Sequence, residues 1–142
     1  AGVLFDWAVK VGEFAPIVFD PNVRASVMGD REKYAAAVEK WVGISSVVKV
    51  SDDDIAWLYP DQSLDVVAHR WIEAGVNCVV ITRGANGLIG FTASGMEEVD
   101  GVKSFESDTE VTAAAAAALR SRASRAQTES DGGSRVRTRT ST

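Results

Sequence analysis

The sequence predicts an α/β fold, a mostly parallel sheet with helices on both faces. Three observations carry that reading. The runs PIVFD, SSVVKV and NCVVIT are continuously apolar at their centres, which suits strands buried on both sides. Segments with apolar residues at helical spacing alternate with them. Gly, Pro and side-chain capping residues punctuate the boundaries between the two kinds of segment.

The elements follow in order. Val3, Leu4, Trp7, Ala8 and Val11 recur at helical spacing, and Gly12 and Pro16 mark the end of that opening helix. PIVFD is the first strand, stopped by Pro21, with PNVRAS as a loop. Asp30 can cap a helix over Arg31 to Val42, whose apolar face is Tyr34, Ala37, Val38, Trp41 and Val42. SSVVKV is the second strand. Ser51 can cap a short helix over DDDIAWL, where three acids complement the helix dipole before Pro60 ends it. Ser63 to Gly75 is a third long helix, with Leu64, Val67, Ala68, Trp71 and Ile72 on one face and Gly75 as its stop. NCVVIT is the third strand, GANG a turn, GLIGFTA a returning fourth strand and MEEVDG a short hairpin arm. The order is Rossmann-like in the broad sense, but no GxGxxG is present, so the dinucleotide-binding version is not supported.

The 142 residues suffice for one domain with a real core. The formal charge of −5 is unevenly spread. Residues 1–111 hold nine Lys/Arg against eighteen Asp/Glu, a formal −9, and the remaining residues hold six Arg against two acids, +4. From about Thr112 the sequence becomes an alanine run followed by Arg, Ser, Thr, Ala and Gly, without apolar periodicity after Leu119. Such a segment buries too little apolar area to offset its ordering entropy. The division is therefore a partial α/β domain over 1–103 and a divergent tail over 104–142, expected to be disordered. No aromatics interleave with the tail arginines, so a solvated tail is favoured over a nucleic-acid ligand. With no charged-then-apolar leader and no apolar run near ~20 residues, the expected location is the cytoplasm. The start at Ala1, straight into a helical pattern, suggests a piece of a longer chain.

Cys78 is the single cysteine and sits in an apolar run, so it reads as a buried core residue. His69 is the single histidine and has no ligand-spaced companion, so it reads as structural or solvent-exposed. Trp7, Trp41, Trp57 and Trp71 read as core.

Three segments carry chemistry. Asp20, Asn22 and Arg24 of DPNVR follow directly on a strand, where ligands of open α/β sheets bind. Arg24 can clamp a phosphate or carboxylate through its fork of donors. The alternative is an ordinary strand-ending turn, since Asp-Pro-Asn is turn chemistry in any protein. The acids Asp52, Asp53 and Asp54 also lie just past a strand and can hold Mg2+, directly or through water. The alternative there is helix capping by solvated acids. Thr82, Gly84 and Gly87 surround a tight turn whose glycines let backbone amides approach a phosphate or base. The alternative is a plain turn between strands.

In their order and context, VFDPNVR, VVKVSDDDIAWLYP and GVNCVVITRGANGLIGF resemble the second half of PfkB-type carbohydrate kinases, the ribokinase-like family. The likeness is greatest to the fructokinase and 2-keto-3-deoxygluconate kinase branch and covers roughly residues 1–103. It implies a partial, three-layer ribokinase-like fold and transfer of the ATP γ-phosphoryl group to a sugar hydroxyl with Mg2+. By position it implies that Asp20, Asn22 and Arg24 line the sugar and phosphate cleft, and that Thr82, Gly84 and Gly87 contact the nucleotide. Ser51 and Asp54 match the ends of the family's Asn-x-x-Glu segment, which orders Mg2+ and its waters, but both differ from that pattern.

The family's catalytic segment is a DTxGAGD-like stretch, whose glycines form an anion hole and whose last Asp is the base. After GVK this chain reads SFESDTEVTAAAAAALRSR, with Asp108 and Thr109 echoing its start and no GAGD following. No catalytic residue is therefore assigned. The expectation is a fragment of a sugar kinase, inactive alone, with ATP and Mg2+ binding weak or lost. A non-catalytic nucleotide- or partner-binding module is the alternative. The abrupt change of composition after about Val102 fits translation in another reading frame.

Overall fold

The computed structural model describes residues 2–99. The expected tail over 104–142 lies outside the described residues. The elements are α1 (Gly2–Gly12), β1 (Val18–Phe19), α2 (Arg31–Val42), β2 (Val47–Ser51), α3 (Asp52–Leu58), α4 (Leu64–Glu73), β3 (Cys78–Thr82), β4 (Leu88–Thr92) and β5 (Gly95–Val99). A 3-10 turn over Gly84–Asn86 joins β3 to β4.

The caps fall where the sequence places them. The carboxylate of Asp30 accepts from the N–H of Lys33 at 3.2 Å. Ser51 Oγ accepts from the N–H of Asp54 at 3.0 Å, and Ser63 Oγ from that of Val66 at 3.4 Å. Each satisfies a donor that the first helical turn leaves open. Gly75, with φ +113°, closes α4 in a conformation that a side chain would oppose.

The five strands form one sheet in the order β1-β2-β3-β4-β5. β1, β2 and β3 run parallel, because α2 and then α3 and α4 carry the chain back between them. The last two pairings, β3–β4 and β4–β5, are antiparallel, so the sheet is mixed. A parallel crossover needs a dozen or more residues, and the short turns around Gly84–Asn86 and after Thr92 cannot supply one.

The larger core lies on one face. Strand residues Val48, Val50, Val79, Ile81, Ile89 and Phe91 meet Val38 and Val42 of α2, Ile55 and Leu58 of α3, and Val67, Ala68 and Trp71 of α4. The opposite face carries a smaller buried cluster of Val47, Cys78, Val80 and Leu88, all strand residues. Among the described residues, no helix contributes a side chain to that cluster. No described helix is long and apolar enough to cross a membrane.

A polar knot ties α2 to the helices that follow it. Glu39 Oε1 accepts from the Tyr59 hydroxyl, from Arg70 Nη2 at 2.9 Å and from Trp71 Nε1 at 3.1 Å. The Arg70 guanidinium also lies 4.8 Å over the Tyr59 ring. Trp71 is fully buried, so its indole N–H needs this acceptor. Burial, followed by the Glu39 carboxylate, drives the Tyr59 hydroxyl well above its ordinary pKa.

Two expectations for the start of the chain are corrected. PIVFD contributes only Val18 and Phe19 to the ladder, and it is an edge strand. Pro16 has no N–H to give, Phe19 packs inward, and Val18 is 60% exposed on the other face. In α1 only Ala8 is buried, while Phe5 meets Trp41 edge to face at 5.3 Å. Val3, Leu4 and Trp7 are exposed, so Trp7 is not core. On α2, Ala37 is likewise exposed, because the buried stripe narrows to Val38 and Val42.

Candidate functional site

The carboxyl ends of the three parallel strands lie along one sheet edge. Ser51 and Thr82 are paired on the last rung of β2–β3. Asp20 follows Phe19, the last residue of β1, which pairs with Val48. All three sequence segments therefore emerge on the side of the sheet where open α/β folds bind ligands.

The first two segments are joined by direct bonds. Asp20 Oδ2 accepts from Lys49 Nζ at 3.0 Å, and its Oδ1 accepts from the N–H of Asn22 at 3.0 Å. Asn22 takes the left-handed conformation, φ +42°, which asparagine tolerates better than most residues. The Tyr34 hydroxyl donates to the Pro21 carbonyl at 2.8 Å. The Asp54 carboxylate, at the third position of α3, accepts from the backbone N–H of Val23 and from Ser51. Lys49, Tyr34 and Asp54 thus come from three elements and hold one loop. Arg24 and Asn22 are exposed at its outer side, and the Arg24 carbonyl opens a turn by accepting from Val27 and Met28.

The electrostatics follow from this crowding. Burial raises the pKa of Asp54, hydrogen bonds from Ser51 and Val23 oppose the rise, and the Asp20 charge adds to it. Tyr34 is raised by burial, then by the charges of Asp54 and Asp20. Of the other two acids in the triplet, Asp53 is exposed, and its N–H is capped by Asp52 Oδ1 at 2.9 Å. The Asp52 bond stays within the first turn of α3, whereas Asp54 reaches across to the loop after β1.

Thr82 ends β3, and the turn after it is closed by the Arg83 N–H donating to the Gly87 carbonyl at 2.8 Å. Gly84 and Gly87 have φ of +54° and +86°, so both positions need glycine for conformation. A Cβ at Gly84 would meet nothing within 4 Å, which leaves the turn open to an approaching group. The Arg83 guanidinium fixes the turn from beneath, donating to the Asn86 carbonyl and pairing with Glu98 of β5.

No group of three or more His, Cys, Asp or Glu side chains among the described residues forms a metal cage. A Mg2+ ion that keeps most of its waters needs only one or two carboxylates plus phosphate oxygens. Asp54 and Asp20 are the two carboxylates in contact with the loop after β1, and the charge of Asp20 acts on Asp54. Cys78 is buried. His69 is exposed, with Nδ1 2.7 Å from the Asp65 carbonyl and its ring against Phe91.

Sequence reasoning passed over Lys49, Tyr34 and Arg83. Lys49 had a signal, since a lysine inside a buried-type strand calls for a charged partner. Tyr34 and Arg83 had none, because their roles depend on which loops the fold brings beside them.

No protein-family model matches the chain. Among curated proteins it is 36% identical over 76 residues to a fructokinase of Rhizobium leguminosarum bv. trifolii, covering 54% of this chain and 23% of that one. It is 32% identical over 72 residues to a fructokinase of Vibrio alginolyticus, covering 51% and 24%. The resemblance is to part of a PfkB-type carbohydrate kinase. The chain spans about a quarter of the length of these curated relatives. Among solved structures, the fructokinase of Vibrio cholerae O395 bound to fructose, ADP and calcium superposes with TM-score 0.60 at 28% identity, over 70% of this chain and 33% of that one. The aminoimidazole riboside kinase of Salmonella enterica superposes with TM-score 0.62 at 21% identity, over 75% and 36%. A PfkB protein from Polaromonas sp. JS666 gives 0.58 at 22%, over 69% and 33%. The last two speak for the ribokinase-like fold alone.

Proposed function

We propose that this chain is a fragment of an ATP-dependent carbohydrate kinase, that its described part forms the nucleotide and phosphate edge of the cleft, and that it does not turn over sugar by itself. The observation that carries the reading is the convergence of three segments, 31 residues apart from Asp20 to Ser51 and again from Ser51 to Thr82, on one sheet edge. Identity to two fructokinases, over 76 and 72 residues, supports the substrate class.

In this reading the Thr82–Gly87 turn takes the nucleotide through its exposed backbone. Arg24 and Asn22 face the transferred phosphate and the sugar. Asp54, with Ser51, orders the waters of a Mg2+ ion that arrives on the nucleotide phosphates. That ion would supply charge neutralisation as the phosphoryl group moves. In this reading the chain is a cytoplasmic, partial α/β domain over 1–103 followed by a divergent tail over 104–142.

The sequence after Lys103 supports the inactivity in this reading. The stretch GAGD, which the resemblance implies would carry the base and the glycine anion hole, does not occur in the 142 residues. Positioning and charge stabilisation supply most of the rate in phosphoryl transfer, and each lost element costs orders of magnitude. A coupled ADP-release assay with fructose and Mg-ATP tests this. The expected result is no sugar-dependent rate above the blank, and sugar-dependent turnover would refute it.

A further inference from the structure

We propose that Lys49 is a positioning residue, which sets the Asp20–Arg24 loop in the conformation that presents Asn22 and Arg24 to the cleft. The consequence for ligand binding rests on the kinase reading above; the consequence for the loop does not.

Lys49 stands mid-strand in β2, with its side chain only 10% exposed. Lysine at such a position loses most of its hydration and requires compensation. Its ammonium meets Asp20 Oδ2 at 3.0 Å, on an aspartate that remains 41% exposed. The partly exposed pair adds little to stability. Its effect is geometric. With Oδ2 on Lys49, the Asp20 carboxylate has a fixed plane, and Oδ1 is aimed at the Asn22 N–H. That second bond holds Asn22 at φ +42°, a conformation costly for a residue with a side chain unless something local secures it. The reversal at Asn22 then sets the directions in which Asn22 and Arg24 leave the loop. Tyr34 and Asp54 hold Pro21 and Val23 on either side, so Asn22 is the point where the loop's shape is decided.

The pair is charge-specific as well as geometric. An asparagine at 20 has one oxygen and one NH2 group. It cannot accept from Lys49 on one side and from Asn22 on the other.

The test is amide hydrogen exchange by NMR on the full chain, comparing wild type with Lys49→Met and Asp20→Asn, with Mg-ATP titration as a separate arm. Methionine fills the lysine volume without charge, so β2 and β3 amides such as Val48 and Val79 are expected to keep their protection. The Asn22 amide is expected to exchange about tenfold faster or more in both variants, as a local opening. In the titration, shifts at Asn22 and Arg24 should shrink in Lys49→Met while those at Gly84 and Gly87 persist. If Lys49→Met does not fold, Asp20→Asn decides, since it leaves the lysine stem in place. Native exchange at Asn22 in a folded variant overturns the proposal. If wild type shows no response to Mg-ATP while Asn22 still exchanges faster in the variants, the reading of this edge as a nucleotide-phosphate site fails and the positioning role stands.

Discussion

Ser51 and Thr82 are register partners on the final rung of the parallel β2–β3 ladder. One caps the helix bearing Asp54, and the other opens the glycine turn at Gly84. The rung therefore places the proposed metal side and the proposed nucleotide side of the cleft at one level.

Ser51→Ala should cost about 1 kcal/mol, the usual loss for removing a serine N-cap. Urea denaturation followed by circular dichroism measures it. Ser51→Asn keeps a capping oxygen and should stay close to wild type.

Asp54 should make stability pH-dependent, and Asp54→Asn should remove that dependence. The Asp54 pKa is raised in the fold, chiefly by burial. A carboxyl with a raised folded pKa favours the fold most when protonated, below its unfolded value near 3.8. That contribution disappears as pH climbs through the raised value, so at pH 7 the ionised group supports the fold less than the protonated group does. Relative to Asp54→Asn, wild type should therefore gain stability as pH falls through the raised value toward 3.8, and the difference should level off below it. Melting curves from acid to neutral pH check the sign, and a wild type that loses stability relative to Asp54→Asn toward acid would contradict it.

Glu39→Ala removes the acceptor shared by Tyr59, Arg70 and Trp71, and leaves the buried indole N–H of Trp71 unpaired. The expected loss is about 2 kcal/mol, dominated by desolvated donors left without a partner. Denaturant titration followed by tryptophan fluorescence reports it.

Gly84→Ala isolates conformation from space. A Cβ there has no neighbour within 4 Å, so the cost is that of φ +54° alone, about 1 kcal/mol. The melting curve gives the value.

Much of the fold was legible because its signals are local. The caps at Asp30, Ser51 and Ser63, the stop at Gly75 and the apolar runs around Val48 and Val79 depend on residues within a few positions. The start of the chain was harder. The apolar positions Val3, Leu4 and Trp7 have helical spacing but no partner among the described residues, and spacing says nothing about what covers a face. β1 shrank to two residues because pairing at an edge depends on its single neighbour. The candidate site was readable as three motifs, since each follows a strand. The bonds that join them were not. That Lys49 meets Asp20, 29 positions away, and that Asp54 meets Val23, are consequences of sheet register.

The central claim is that the edge formed by Asp20, Ser51 and Thr82 is a nucleotide-phosphate site. Titration of the 15N-labelled chain with Mg-ATP tests it most directly. The account predicts weak binding, with a Kd of about 1 mM, or roughly −4 kcal/mol. Amide shifts should cluster at Asn22–Arg24, Ser51–Asp54 and Thr82–Gly87. Shifts confined to other parts of the chain, or none at saturating millimolar Mg-ATP, would contradict it.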